Sequence, residues 1–83
     1  MLAPSQILTY IKAKPFRPFR LHMASGQTFD VRHPEMIKVA KNYVIVFRFA
    51  PGEQELIEEW ETASLMLAES ISHLDATATH GNN

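Results

Sequence analysis

The chain of 83 residues has no cysteine and only three glycines. Without cysteine, disulfides, thiolate metal sites and a cysteine nucleophile are excluded. Long apolar runs are missing as well. The longest, Tyr43 to Phe47, falls far short of the roughly 18 residues that cross a bilayer as a helix. The N-terminal MLAPSQ has neither a basic segment nor an apolar stretch, so no signal peptide is read there. The histidines, His22, His33, His73 and His80, show no i, i+4 ligand spacing. GxSxG, P-loop, HExxH and GxGxxG motifs are all absent. These gaps point to a cytoplasmic protein with no cofactor, no metal, no membrane partner and no catalytic role.

Basic residues are missing from the second half of the chain. All eight Lys and Arg lie between Lys12 and Arg48, where only Asp30 and Glu35 oppose them, leaving a charge of +6. From residue 49 onward seven acids and no base leave −7. The net charge of −1 therefore hides a basic region (12–48) and an acidic one (53–75). A polyanion binder usually carries a positive domain charge, so the asymmetry speaks more for halves that face each other, or meet across an interface.

A chain this short is one domain and buries only about 60% of its unfolded surface. Residues 1–75 carry the patterned sequence; residues 76–83, ATATHGNN, have none and read as a disordered tail. Residues 4–13 predict a short helix, with Ile7, Leu8 and Ile11 on one stripe and Pro4 in the first turn. About ten residues cannot hold a helix alone in water, so it must dock. Pro15 ends it.

Two period-2 runs follow. Phe19, Leu21 and Met23 alternate with Arg20 and His22, and Phe29 and Val31 alternate with Thr28, Asp30 and Arg32. A two-residue Ser25-Gly26 turn would set Leu21 against Asp30, apolar against charged. A three-residue loop, Ala24-Ser25-Gly26, pairs Leu21 with Phe29, Phe19 with Val31 and Arg20 with Asp30 instead. It also puts Gly26 where a left-handed residue is needed. The second register is the expected one. His33-Pro34 stops the second run; Glu35-Met36 could make a helical turn, while Ile37 and Val39 alternate. Tyr43 to Phe49 (YVIVFRF) is the strongest strand and, apolar on both faces, reads as central. Pro51-Gly52 makes a turn.

Residues 53–75 admit two readings. Leu56, Trp60, Ala63, Leu67, Ile71 and Leu74 fit helical spacing. Read as extended, Leu56–Leu65 and Ser70–Asp75 become two strands that help cover the apolar one. On periodicity alone the helix leads.

The motifs Pro15-Phe16-Arg17-Pro18-Phe19-Arg20-Leu21-His22, Ser25-Gly26 and Val31-Arg32-His33-Pro34-Glu35 resemble those of a family of short uncharacterised bacterial proteins. That family combines a helix, a PFRPF-[IL]-H segment, a glycine turn, a V-x-H-P-E corner and a β-rich second half. The resemblance spans roughly residues 5–75, tight in the first half and loose in the second. It implies a strand, a turn and a final strand over 53–75, although Glu, Ala and Met stand here where relatives tend to be β-branched. The fold it implies is mostly β with an N-terminal helix (α+β), a small SH3-like or Sm-like antiparallel barrel of about five strands. The alternative is helix–sheet–helix with 53–75 helical. It implies no activity.

Candidate sites follow from these placements. In KPFRPFR, Phe16 and Phe19 read as core anchors at the joint between helix and first strand, with Arg17 and Arg20 lying over apolar surface. Arg20, His22 and Arg32, with Arg17, share the outer side of the hairpin and could hold a phosphate or carboxylate. Asp30 opposes that use. His22 and His33 as acid/base groups lack a placed partner. In EQELIEEWE (53–61), Trp60 is expected to pack inward beneath a solvated acidic face; exposed, it would be a protein-binding hot spot. The function expected is a non-catalytic interaction module, binding a protein partner or itself through charge-complementary surfaces. The alternative is an Sm-like RNA binder using Arg17, Arg20, Arg32 and Lys38 or Lys41.

Overall fold

The protein was analysed as a computed structural model that describes residues 1–75; the tail expected at 76–83 lies outside the described residues. One helix, α1 (Pro4–Ile11), precedes six strands: β1 (Phe19–Met23), β2 (Thr28–Val31), β3 (Ile37–Val39), β4 (Tyr43–Ala50), β5 (Glu53–Ser64) and β6 (Ala68–His73). Short 3-10 turns, Pro34–Met36 and Leu65–Leu67, lead into β3 and β6. The ambiguous 35–40 stretch is thus both things in succession, a helical turn and then a strand.

Two antiparallel three-stranded sheets result, ordered β2-β1-β6 and β3-β4-β5. The chain is mostly β with an N-terminal helix, as the family resemblance implied and the helical periodicity of 53–75 did not. It has six strands where about five were expected, and the sheets do not close into a barrel. Among the described residues no ladder joins β2 to β3 or β5 to β6. The physical reason at the first corner is His33-Pro34: proline has no N–H to donate, so the ladder breaks where the chain passes from one sheet to the other.

The β1–β2 hairpin has the register derived from its alternation: Phe19 faces Val31, Arg20 faces Asp30 and Leu21 faces Phe29. Its loop closes with the Gly26 N–H donating to the Met23 carbonyl (2.9 Å). Gly26 has φ +94°, a conformation that side chains resist. β6 pairs along the other side of β1, placing Ile71 beside Leu21. One face of this sheet is therefore Phe19, Leu21, Met23, Phe29 and Val31, all buried. Ile37, Val44 and Leu65 meet it from the second sheet and its connection. Ile7 of α1 is fully buried in the same core, with Leu2, Tyr10 and Ile11 packed alongside. The helix begins with the Ala3 N–H donating to Gln6 Oε1 (2.7 Å), which satisfies one otherwise unpaired amide.

The proline joint belongs to this core. The Phe16 ring meets Phe19 edge-on with centroids 6.0 Å apart, and Tyr10 meets Phe19 in the same manner at 5.5 Å. The Pro18 carbonyl accepts from the Leu74 N–H (3.1 Å), and Arg17 grips Asp75 with two hydrogen bonds of 2.8 and 3.0 Å. The segment ties the start of the fold to its last strand.

Residues 53–73 are extended apart from the Leu65–Leu67 turn. The helical spacing there marks no buried stripe: Leu56, Trp60 and Leu67 are 59%, 65% and 54% exposed. A helix needs a surface to dock on, whereas β4 offers a ladder edge that pairs a strand along its length. The backbone hydrogen bonds of that ladder win.

Leu21 has no exposed surface and sits between two strand neighbours. Leu21→Ala is expected to lower unfolding free energy by about 2–5 kcal/mol, and Leu21→Met by less than about 1.5 kcal/mol. Urea denaturation midpoints of the two variants measure the contrast, and equal losses would contradict it.

Candidate functional site

The first candidate surface is the outer side of the β2-β1-β6 sheet, where alternation puts Arg20, His22 and Asp30. The structure brings these together and also occupies them. Arg20 donates from Nε and Nη2 to the two Asp30 oxygens (2.6 and 3.1 Å). Arg32 stands 3.6 Å from the same carboxylate. Arg17, at the joint, is spent on Asp75. His22 Nε2 shares a 2.8 Å hydrogen bond with the Ser72 hydroxyl from the neighbouring strand. His33 is exposed at the corner before the 3-10 turn, and its carbonyl accepts from the Met36 N–H.

The electrostatics follow from these contacts. The hydrogen bonds from Arg20 hold the Asp30 carboxyl below its ordinary value of 3.8, against a weaker upward push from partial burial, with Arg20, Arg32 and His22 adding attraction. Carboxylate hydrogen bonds raise Arg17 and Arg20 above their ordinary value. A face whose cations already neutralise carboxylates of the same chain has little left for an anionic ligand.

The second candidate surface was only half visible in the sequence. β3 spans three residues and pairs with β4 only from Val44 to Val46. Beyond Val46, β4 and β5 continue as a two-stranded ribbon to the Pro51-Gly52 turn. Phe47 pairs with Trp60, Arg48 with Glu59 and Phe49 with Ile57, with irregularities of register on either side of Phe49. Alternation sends Val46, Arg48, Glu59 and Glu61 to one side, Phe47 and Trp60 to the other.

The expectation that Trp60 packs inward is corrected here. Its side chain is 65% exposed, because the ribbon runs past the end of β3 and, among the described residues, no second layer lies over its outer face. Likewise β4 is central in its sheet, yet Ile45, Phe47 and Phe49 on the outer side are only half-buried. Leu56 and Ile57 of the same strand are also exposed, as are the acids Glu53, Glu55, Glu58, Glu59 and Glu61, of which Glu59 and Glu61 project from the side opposite Trp60. Glu59 pairs with Arg48 (2.8 Å) and Glu61 accepts from Gln27 Nε2 (3.1 Å). Glu53, Glu55 and Glu58 make no ion pair among the described residues.

Between the ribbon and β2 lies an open cleft of about 400 Å³. Phe29, Met36 and Val46, together with Phe47 and Trp60, supply its apolar lining, and Asp30, Arg48 and Glu61 its charged lining. Each of these charged groups is engaged: Asp30 with Arg20, Arg48 with Glu59, Glu61 with Gln27. Among the described residues no histidine lines the cleft. Among the described residues no group of three or more His, Asp or Glu is placed to hold a metal ion. No helix among them is long and apolar enough to cross a membrane.

The missed signal was strand length. Tyr43 to Phe49 is central in its sheet, as its apolar faces imply, but the HPE corner leaves only Ile37–Val39 to flank it on one edge. The chain matches no family model, no curated protein and no solved structure. The family resemblance therefore rests on its motif residues alone.

Because its folded pKa is depressed, Asp30 contributes stability that is complete above the unfolded carboxyl value and lost as pH falls through the folded one. Asp30→Asn is expected to be less stable than the parent at neutral pH and to show a shallower decline below about pH 4. Thermal midpoints across that range measure it; parallel curves for the two proteins would count against the Arg20–Asp30 assignment.

Proposed function

We propose that the chain is a small non-catalytic interaction module whose binding surface is the ribbon of β4 and β5 around Trp60. The observation that carries this reading is an aromatic side chain left in water on a strand that also exposes Leu56, Ile57 and five glutamates. In this free chain Leu56 and Ile57 forgo part of their burial, roughly 1 kcal/mol each at about 25 cal/mol per Å². A partner that covers them with Trp60 recovers that energy, and large aromatic anchors ringed by polar groups are the usual hot spots of protein interfaces.

Charge supports the same choice. Of the basic half, Arg17, Arg20 and Arg48 are held by carboxylates of the same chain. The exposed Lys12, Lys14, Lys38 and Lys41 form no ion pair among the described residues and remain as the outward-facing basic complement. The acidic half is less consumed, so the ribbon is the stronger field. Complementary charge of this kind sets orientation and encounter rate. The engaged cleft residues favour binding over catalysis.

The strand order also supports a fold reading. If β2 and β3 are two halves of one strand broken at His33-Pro34, the run β6-β1-β2/β3-β4-β5 has the order of an opened SH3-like or Sm-like barrel. The RNA-binding use of such a barrel is the less favoured reading, because Arg17, Arg20 and Arg32 already stand on Asp75 and Asp30.

Trp60 is the only tryptophan, so its fluorescence reports the site without a label. Emission of the free protein should be red-shifted and readily quenched by acrylamide. Affinity capture should retain a protein that is released as salt approaches about 1 M, where the screening length is about 3 Å. Trp60→Ser should lose that protein while keeping the parent's circular-dichroism spectrum. Equal capture by Trp60→Ser and by the parent would refute the site. Salt-sensitive dimers of the free protein in sedimentation would mean that the surface serves self-association.

A further inference from the structure

β5 is the longest strand and has a strand neighbour, β4, on one side only. Its other side presents, among the described residues, a row of backbone N–H and C=O groups that no strand pairs. An edge of this kind is a template for one more strand, and folded proteins protect it. Here the protection is charge. Antiparallel pairing of β5 with the same strand of a second copy, centred on Ile57, would set Glu53 against Glu61 and Glu55 against Glu59. Like charges directly opposite destabilise a ladder.

A second copy has little else to offer. The opposite edge of the sheet, β3, carries Lys38 but spans three residues against twelve in β5. β2 spans four and includes Asp30. The remaining edge, β6, spans six and includes Glu69, so among the described residues no other edge matches β5 in length.

The pleat adds a requirement on side chains. Glu59 and Glu61 share one side of the sheet, and Trp60 stands on the other with Phe47. Along Glu59–Glu61, where the ladder is regular, a strand laid against this edge therefore meets carboxylates on one face and the exposed Trp60 on the other; nearer Glu53 the register shifts twice. Beside Glu59, Trp60 and Glu61 its own side chains alternate in the same way, so cationic and apolar residues alternate there.

We propose that the free edge of β5 receives an extended segment of a partner protein, with Lys or Arg at alternate positions and apolar residues between, as a fourth strand of the β3-β4-β5 sheet. The inference rests on reading the ribbon as the binding surface, and it adds how the partner is held. Main-chain hydrogen bonds supply affinity, and the alternating side chains supply selectivity. The glutamates that repel a second β5 attract this segment, so one feature performs both tasks.

Synthetic peptides of about nine residues, within the usual strand length, test it on the full chain. The probe alternates lysine and valine. One control replaces lysine by glutamate, and another keeps the lysines but places proline at the central valine, which breaks the ladder. Expected with the probe are a blue shift of Trp60 emission and slowed amide exchange within Glu53–Trp60. Glu55→Gln/Glu58→Gln/Glu59→Gln should weaken binding on the order of tenfold, and both controls should bind at least about tenfold more weakly than the probe. Equal binding of the proline peptide would leave a charged interaction surface but overturn strand addition. No binding of the probe, while a cellular protein is still captured through Trp60, would overturn the inference and spare the broader function. Self-association of the parent through slowed β5 amides would overturn it in favour of a second copy.

Discussion

The fold depends on burying one face of a single strand. Phe19 and Leu21 of β1 have no exposed surface and Met23 has 6%. Strands pair with β1 on both sides, and the aromatic rings of Tyr10 and Phe16 lean on Phe19 from the helix and the proline joint. A domain this small has little apolar area to bury, and concentrating it on one strand lets each neighbour gain from the same contacts. The second sheet enters this core through Ile37 and Val44, and its far end is free to project because the core does not need it.

That division separates the structural charges from the available ones. Around the core, arginines are joints: Arg20 locks the hairpin at Asp30, and Arg17 fastens the helix–strand joint to Asp75 beyond β6. Surface ion pairs contribute little to stability singly, yet these pairs leave their carboxylates and guanidinium groups with little unmet charge. On the ribbon, the glutamates outnumber Arg48 and have apolar neighbours in water. A patch with unsatisfied charge and uncovered apolar surface is where a binding partner gains most.

Local chemistry explains what was legible. The β1–β2 register could be read because period-2 alternation tolerates only one pairing that keeps apolar faces together, and Gly26 supplies the turn that this pairing needs. The identity of Phe16 and Phe19 as anchors was legible from their place between a docking helix and a half-buried strand. By contrast, Leu56, Trp60 and Leu67 carry a helical rhythm that the structure does not use. Their spacing describes a face, and whether that face is buried depends on what lies opposite.

By itself, then, the order of residues determined the helix, the hairpin with its register, the corner at His33-Pro34 and the segregation of charge, since each arises from neighbours in the chain. Only the tertiary structure decided that two sheets stay open, that Arg17 meets a carboxylate near the end of the last strand, and that Trp60 faces water. Those outcomes turn on which distant segments meet and on how far β4 outruns β3, and a linear pattern carries neither distance.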